Sequence, residues 1–150
     1  MDKVYIIVDG SNIAFYKRTH KKKAKYKNLE IVKDFLQDLS KKSLFCWEIV
    51  IDASLRHMID DKDALERAIK KGLIIQCPDN IEADKFILEF FSRHPENTLI
   101  ISNDNFKKYK IDNLIIFKFV IMFEEILLEP KIEQFLDKHE RISKEVKLNA

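Results

Sequence analysis

The chain has little of what marks extracellular or membrane-spanning proteins. Its 150 residues include two cysteines, Cys46 and Cys77, which lie at or beside apolar runs without histidines at zinc-finger spacing. We therefore expect reduced thiols rather than a disulfide or a structural zinc site. The apolar run 114–123 is interrupted by Lys118 and is too short to span a bilayer. The chain begins with a predicted strand and shows no signal peptide. Together with the few cysteines and the short apolar run, this predicts a cytoplasmic protein with no membrane partner.

Glycine is scarce as well: the chain has two, and the first of them, Gly10, stands in an informative position. Gly10 follows Asp9, and Asp9 follows the apolar, mostly β-branched run 4–8. Such a run predicts a central parallel strand covered on both faces, and a glycine permits a sharp turn and close approach. We expect Asp9 at the carboxyl end of that strand, where open α/β sheets bind ligands. The same pattern also fits a turn in which Asp9 only bonds its own loop.

Positive charge is concentrated in one segment. The chain has 27 Lys and Arg against 25 Asp and Glu, for a net charge of +2. Residues 17–27, called here the basic segment, contain seven basic residues and no acid: Lys17, Arg18, Lys21, Lys22, Lys23, Lys25 and Lys27. A basic segment on an otherwise acidic chain predicts a local anionic partner.

Strand and helix patterns alternate along the chain. Strands are predicted over 3–8, 45–51, 73–76, 98–102 and 114–120, with a short further edge strand at 126–128. Helices are predicted over 29–42 with Asn28 as N-cap, from Asp60 or Asp61 to Lys71, over 80–94 with Asn80 as N-cap, and from Pro130 onward with Val146 inward. This order predicts one domain over 1–150, with a mostly parallel five-stranded sheet between helices.

Two further acids are expected at the same sheet edge as Asp9. Asp104 follows the strand 98–102 in the turn Ser-Asn-Asp-Asn, although it also suits an ordinary turn or helix cap. Asp84 aligns with Ile81 and Leu88 on the apolar stripe of its helix, where an unpaired charge is costly. The helix dipole accounts well for the neighbouring Glu82 but poorly for Asp84.

Carboxylates that meet at one edge repel each other, and a hard divalent cation relieves that repulsion. Mg²⁺ prefers oxygen ligands and is often held by one or two carboxylates together with a substrate phosphate. Such an ion activates water and stabilises a phosphodiester under attack, while the basic segment would follow the backbone of a nucleic acid.

Three motifs together resemble the NYN branch of PIN-like ribonucleases, most closely the Regnase-type enzymes that in animals carry a CCCH zinc finger. They are Val-Asp-Gly-Ser-Asn at 8–12, Asp-Lys-Phe-Ile at 84–87 and Ile-Ser-Asn-Asp-Asn-Phe at 101–106, within a resemblance over roughly 3–130. The resemblance implies a Rossmann-like α/β/α sandwich and Mg²⁺-dependent endonucleolytic cleavage of RNA. By motif, its acids are Asp9, Asp84 and Asp104, and its polar helpers are Ser11, Asn12, Ser102 and Asn103.

The chain departs from the resembled pattern at two positions. Ala83 stands where an acid often precedes the Lys/Arg-Phe-Ile segment, and Lys108 stands where another acid often follows the Ser-Asn-Asp-Asn turn. No zinc finger is present in the sequence. One metal ion is therefore expected rather than two, with Asp52, Glu82 and Arg56 as secondary candidates near the site.

The sequence thus predicts a Mg²⁺- or Mn²⁺-dependent endoribonuclease that acts on single-stranded or loop RNA as a monomer or weak homodimer. A non-cleaving RNA-binding module of the same fold is the first alternative, supported by Ala83 and Lys108. A receiver-like phospho-switch with Lys118 on its last strand is the second, but Gly10 and Ser11 stand where its acidic pair belongs. The missing Gly-rich Lys-Ser/Thr loop excludes a P-loop NTPase.

Overall fold

A single sheet organises the computed structural model, which describes the backbone of residues 3–148 and the side chains of residues 3–140. Six strands are described: β1 (Tyr5–Asp9), β2 (Cys46–Ile51), β3 (Ile75–Gln76), β4 (Thr98–Ile101), β5 (Ile115–Met122) and β6 (Glu125–Glu129). The helices of the same range are α1 (Gly10–Ala14), α2 (Tyr26–Ser40), α3 (Lys62–Lys70), α4 (Ala83–Arg93) and α5 (Ile132–Leu148). Short 3-10 turns at Ala53–His57 and Lys107–Tyr109 follow β2 and β4. The predicted inward position of Val146 lies outside the described side chains.

The strand order is β3-β2-β1-β4-β5-β6, which places β1 near the centre of the sheet. Neighbouring strands are parallel except β5 and β6, which form an antiparallel hairpin. The prediction of a five-stranded sheet is therefore wrong by one strand, because the edge segment pairs with β5 along its whole length. Strand β1 pairs with both β2 and β4, since Val8 lies opposite both Ile49 and Ile101.

Two apolar layers cover the sheet, as the alternation along β1 requires. Ile6 and Val8 belong to a core that includes Leu29, Val32 and Leu36 of α2. Ile7 points to the opposite face and joins the core that includes Ile87 and Leu88 of α4. Each fully buried aliphatic side chain contributes about 1.5–3 kcal/mol relative to exposure. The predicted three-layer α/β/α sandwich is thus confirmed. Between residues 3 and 148, no helix combines the length and apolarity needed to cross a membrane.

Gly10 begins α1 directly after β1, in a stretch for which the sequence predicts no helix. A Cβ at this position would lie 2.7 Å from Ile51 Cγ2, 2.9 Å from Ile49 Cγ2 and 2.9 Å from the Val50 carbonyl oxygen. Contacts below 3.0 Å with backbone and packed side chains leave no room for a side chain. Close approach, rather than an unusual backbone angle, therefore explains this glycine.

The prediction that Asn28 is the N-cap of the helix over 29–42 is wrong. Helix α2 begins at Tyr26, and Asn28 lies buried inside its first turn. The Asn28 Nδ2 group donates hydrogen bonds to the carbonyl oxygens of Ile13 (3.1 Å) and Tyr16 (2.9 Å). A polar residue that looked like a cap instead ties α2 to the end of α1.

The predicted start of the helix that carries Asp84 is also wrong. Helix α4 begins at Ala83 rather than at Asn80, which is exposed. Its buried residues are Ala83, Ile87, Leu88 and Phe91, and Ile81 is 43% exposed. Asp84 consequently lies in the first turn at the border of the buried stripe rather than within it.

Candidate active site

Asp9 ends β1 and lies almost entirely below the surface, with 5% of the residue exposed. Its Oδ2 accepts a hydrogen bond from the Ser102 hydroxyl at 2.9 Å, and its Oδ1 accepts one from the Asn12 backbone N–H at 3.3 Å. Ser102 follows β4, 93 residues along the chain. The pairing of β1 with β4 therefore brings together the two groups that fix this carboxylate.

The surroundings of Asp9 make its negative charge costly. Burial raises the pKa of Asp9 from 3.8 to about 7. The hydrogen bonds from Ser102 and Asn12 lower that pKa, while the charges of Asp84 and Asp52 raise it. A cation near this carboxylate would favour its ionised form.

Asp104 lies in the turn that follows β4. Its backbone N–H donates to Ser102 Oγ at 3.0 Å, so the Ser102 hydroxyl links Asp9 to this turn. Asp104 Oδ1 accepts a hydrogen bond from the Phe106 backbone N–H at 2.8 Å. Phe106 has a φ of 55° and a buried side chain, a conformation that the sequence did not predict. Asp104 is exposed, and the Ser102 hydroxyl connects its turn to the buried Asp9.

Asp84 reaches the same edge from the start of α4, with 21% of its side chain exposed. Its Oδ2 accepts a hydrogen bond from the Tyr109 hydroxyl at 3.4 Å and lies 3.9 Å from Lys108 Nζ. Burial raises the pKa of Asp84, as does the charge of Asp104, whereas Lys108 and Tyr109 lower it. Tyr109 was missed from the sequence, because no local pattern places its hydroxyl beside a residue 25 positions earlier.

Four carboxylates are called here the acid row: Asp9, Asp52, Asp84 and Asp104. Asp84 lies within electrostatic reach of the other three, and Asp9 lies within reach of Asp52 and Asp84. The three predicted core acids are part of this row. Within the described portion of the chain, no three carboxylate, histidine or cysteine side chains lie close enough to enclose a metal ion by themselves. A metal ion at the acid row would therefore need further ligands from water or substrate.

Asp52 has a definite structural task. Its backbone N–H donates to Ser11 Oγ at 3.0 Å, and its Oδ1 accepts a hydrogen bond from the Ala83 N–H at 2.7 Å. The partners are 41 and 31 residues away. Asp52 therefore fastens the start of α4, and with it Asp84, to the ends of β1 and β2.

A cleft of about 480 Å³ opens between the end of β2 and the start of α4. The residues lining it are Asp52, Ala53, Ser54, Asp79, Asn80, Ile81, Glu82 and Asp84. Glu82, a secondary candidate, is exposed on its wall, and Arg56 lies half-buried in the 3-10 turn that follows Asp52. A substrate contact for Glu82 or Arg56 stays a prediction.

The predicted polar helpers are joined to each other and to β5. Asn12 Oδ1 accepts a hydrogen bond from the Asn103 N–H at 2.8 Å. The Asn103 amide pairs with the backbone of Phe119, and Lys118 Nζ donates to the Asn103 carbonyl oxygen at 2.8 Å. Together with Ser11 and Ser102, these groups hold the loops that carry the acids. Direct contact of the helpers with substrate stays a prediction.

The basic segment runs from α1 to the first turn of α2 and is largely exposed. At one end the Tyr16 ring packs against Phe119 of β5, with 5.3 Å between ring centroids. At the other end Ala24 forms a parallel bridge with Ile59, beyond β2. The segment therefore extends along the edge that holds the acid row, with Lys17, Arg18, Lys21, Lys22, Lys23 and Lys27 exposed and Lys25 half-buried.

A family comparison identifies this arrangement. The family model of the Zc3h12a-like ribonuclease NYN domain matches residues 2–147. The chain belongs to this family. The predicted relation to NYN ribonucleases is thereby confirmed, in place of the receiver-like alternative. Among curated proteins, none matches the chain.

Solved structures show the same fold at low sequence identity. A crystal structure of the nuclear proteinaceous RNase P 2 (PRORP2) of A. thaliana superposes with a TM-score of 0.60 and 17% identity, over 85% of this chain and 30% of that one. Another structure of that protein, described as nuclear protein-only RNase P 2, gives a TM-score of 0.63 and 16% identity, over 86% and 30%. The present chain thus corresponds to less than a third of the length of each matched structure's chain.

Proposed function

We propose that this NYN domain hydrolyses internal phosphodiester bonds of single-stranded or loop RNA with the help of Mg²⁺ or Mn²⁺. The observation that supports this most directly is the convergence of Asp9, Asp84 and Asp104 from β1, α4 and the turn after β4. The membership of the chain in a ribonuclease family adds RNA as the substrate class. The mostly exposed basic segment at the same edge adds a surface for phosphates.

The donor set of the acid row fits a hard divalent cation. All four possible ligands are carboxylates, and burial, the largest cause of the raised pKa values of Asp9 and Asp84, disfavours their charged forms in the absence of a cation. Mg²⁺ usually keeps several waters and is bound through one or two carboxylates plus substrate phosphates. One or two of Asp9, Asp84 and Asp104 would bind the ion directly and the others through water, with the remaining positions completed by RNA phosphate. When bound, the ion supplies charge stabilisation to the phosphate and acidifies the attacking water.

Other residues of the chain have two further roles: they orient the acids and they attract the substrate. Ser102 and Asn12 hold the Asp9 carboxylate in one orientation, and Asp52 holds the helix start that carries Asp84. The basic segment attracts the RNA backbone toward this edge. Because the acids are fixed by hydrogen bonds before substrate arrives, little reorganisation is needed during the reaction.

A non-cleaving RNA-binding module is a second candidate, and one observation favours it. Lys108 Nζ lies 3.9 Å from Asp84 Oδ2 and partly neutralises the acid that would hold the cation. Cleavage distinguishes the two candidates, because both predict RNA binding and only the first predicts shorter products.

Cleavage of a labelled single-stranded RNA tests the proposed function. We expect products with Mg²⁺ or Mn²⁺, none with EDTA, and activity again when the metal is restored. Asp9→Asn, Asp84→Asn and Asp104→Asn should each lower cleavage by about 10²–10³-fold, because several kcal/mol of charge stabilisation are lost. Folded single variants that still cleave at the wild-type rate, or wild-type cleavage that continues in EDTA, would refute the proposal.

A further inference from the structure

The acid row has a positive side chain at one end of it. Lys108 belongs to the 3-10 turn Lys107–Tyr109, and its Nζ lies 3.9 Å from Asp84 Oδ2. Tyr109 Oη donates to the same oxygen at 3.4 Å, and Lys108 Nζ lies 5.0 Å from the Tyr109 ring centroid. One face of the Asp84 carboxylate is therefore occupied by this pair, and its Oδ2 is the oxygen engaged.

The contact between Lys108 and Asp84 is easily broken. The Lys108 side chain is 66% exposed, and ion pairs exposed to water contribute little to stability. The lysine stem is long and flexible. A stronger cation at Asp84 would displace the ammonium group at small cost and leave it at the border of the site.

An anionic substrate needs positive charge at this place. The phosphodiester of RNA must approach four carboxylates, and the charge of Lys108 lies beside one of them, Asp84. The basic segment belongs to a different element, between α1 and α2, and its role is to attract the RNA backbone along the edge. Lys108 is therefore the group best placed to meet the phosphate that lies next to Asp84.

We propose that Lys108 is released from Asp84 when a divalent cation binds and then contacts the RNA phosphate at the acid row. This inference rests on the proposed function and adds to it a residue for the substrate phosphate. Lys108 thus competes with the metal before RNA binds and helps to hold the substrate afterwards.

Lys107 provides a matched control, because it is exposed in the same turn and has the same charge. Mg²⁺ binding without RNA is measured first, through the Mg²⁺-dependent rise in melting temperature. Lys108→Gln should tighten the apparent Kd for Mg²⁺ by about two- to fivefold, since a competing cation has been removed. Lys107→Gln should leave that Kd within twofold of wild type.

RNA affinity as a function of salt, measured with saturating Mg²⁺ on a non-cleavable single-stranded analogue, is the second readout. Lys108→Gln should flatten the log–log slope by roughly 0.7, the value for one lost phosphate contact on a single strand. Lys108→Arg should keep the slope, whereas Lys107→Gln should change it by less than half as much.

Cleavage at saturating RNA completes the experiment. Lys108→Gln should lower kcat at least tenfold, and Lys108→Arg should restore most of it. If Lys108→Gln and Lys107→Gln behave alike in Mg²⁺ affinity and salt slope while wild type cleaves, the inference about Lys108 is wrong and the proposed function stands. If wild type neither gains stability with Mg²⁺ nor cleaves RNA, the proposed function itself fails and the inference falls with it.

Discussion

The acid row and the basic segment lie at the same edge of the sheet, yet they are built in opposite ways. Asp9 is 5% exposed and both its oxygens accept hydrogen bonds from the protein. In the basic segment, six of the seven charged side chains are exposed, and Lys17 and Lys22 have φ values of 48° and 61°. The acids are held by the fold, whereas the basic side chains extend into solvent.

This difference predicts two kinds of mutational behaviour. The charges of Asp9 and Asp84 are costly because these acids are buried or partly buried and lie close to other acids, so each should have a large effect of its own. Charges in the basic segment are solvated and screened by salt, so their effects should be small and additive. The following predictions test that contrast.

The largest effect is expected for Asp9→Asn on stability at alkaline pH. A pKa raised from 3.8 to about 7 means that the folded state binds a proton that the unfolded state has released, so stability falls as pH rises between those values. About three pKa units correspond to roughly 4 kcal/mol. Without divalent metal, Asp9→Asn should therefore be more stable than wild type at pH 8, and the difference should disappear toward pH 4.

Urea denaturation at pH 8, 6 and 4 in EDTA measures this contrast. The variant Asp104→Asn is the control, because it makes the same substitution at an exposed acid of the same row. A wild-type stability at pH 8 that equals or exceeds that of Asp9→Asn would show that Asp9 is ionised in the fold without penalty.

An intermediate effect is expected at Asp52, whose Oδ1 accepts the hydrogen bond from Ala83 N–H. Asp52→Asn keeps an acceptor and should retain substantial cleavage. Asp52→Ala removes the cap of α4 and should cost about 1 kcal/mol of folding stability, with a further loss of cleavage because Asp84 is no longer held in place. If Asp52→Asn instead abolishes cleavage as fully as Asp9→Asn, Asp52 belongs with the metal-holding acids.

The smallest effects per residue are expected in the basic segment. Replacing Lys21, Lys22 and Lys23 together by Gln should flatten the salt dependence of RNA binding by about two units, at roughly 0.7 per phosphate contact. The protein should remain folded, because these side chains are exposed. Lys3→Gln, Lys41→Gln and Lys42→Gln combined make the same charge change at the opposite edge of the sheet. Equal slopes for the two triple variants would refute a specific role for the segment.

Much of the candidate site could be predicted from the sequence because its main parts are local. An apolar run that ends in Asp9, Gly10 and Ser11 identifies a strand end, and the Ile-Ser-Asn-Asp-Asn-Phe run identifies a second one. Alternating strands and helices then fix a parallel sheet, whose carboxyl ends meet at one edge. The pairing of β1 with β4 then brings the ends of these two strands side by side.

The parts that could not be predicted depend on polar contacts between distant segments. Asn28 and Asn80 both had the appearance of helix caps, yet Asn28 bonds the end of α1 and Asn80 lies outside α4. Side-chain oxygen and amide groups have several equivalent uses, and which one is realised depends on the backbone groups that packing brings near. The spacing of apolar residues along a helix does not indicate which of these hydrogen bonds forms.

The sequence by itself determined the fold class, the ribonuclease family, the basic segment and the presence of acids at strand ends. These depend on apolar periodicity, composition and short motifs, which are properties of neighbouring residues. Only the tertiary structure decided that Asp52 caps α4, that Ser102 holds Asp9, and that Lys108 and Tyr109 contact Asp84. These contacts join residues 24 to 93 positions apart, and their formation requires the packed sheet to place the partners within hydrogen-bond distance.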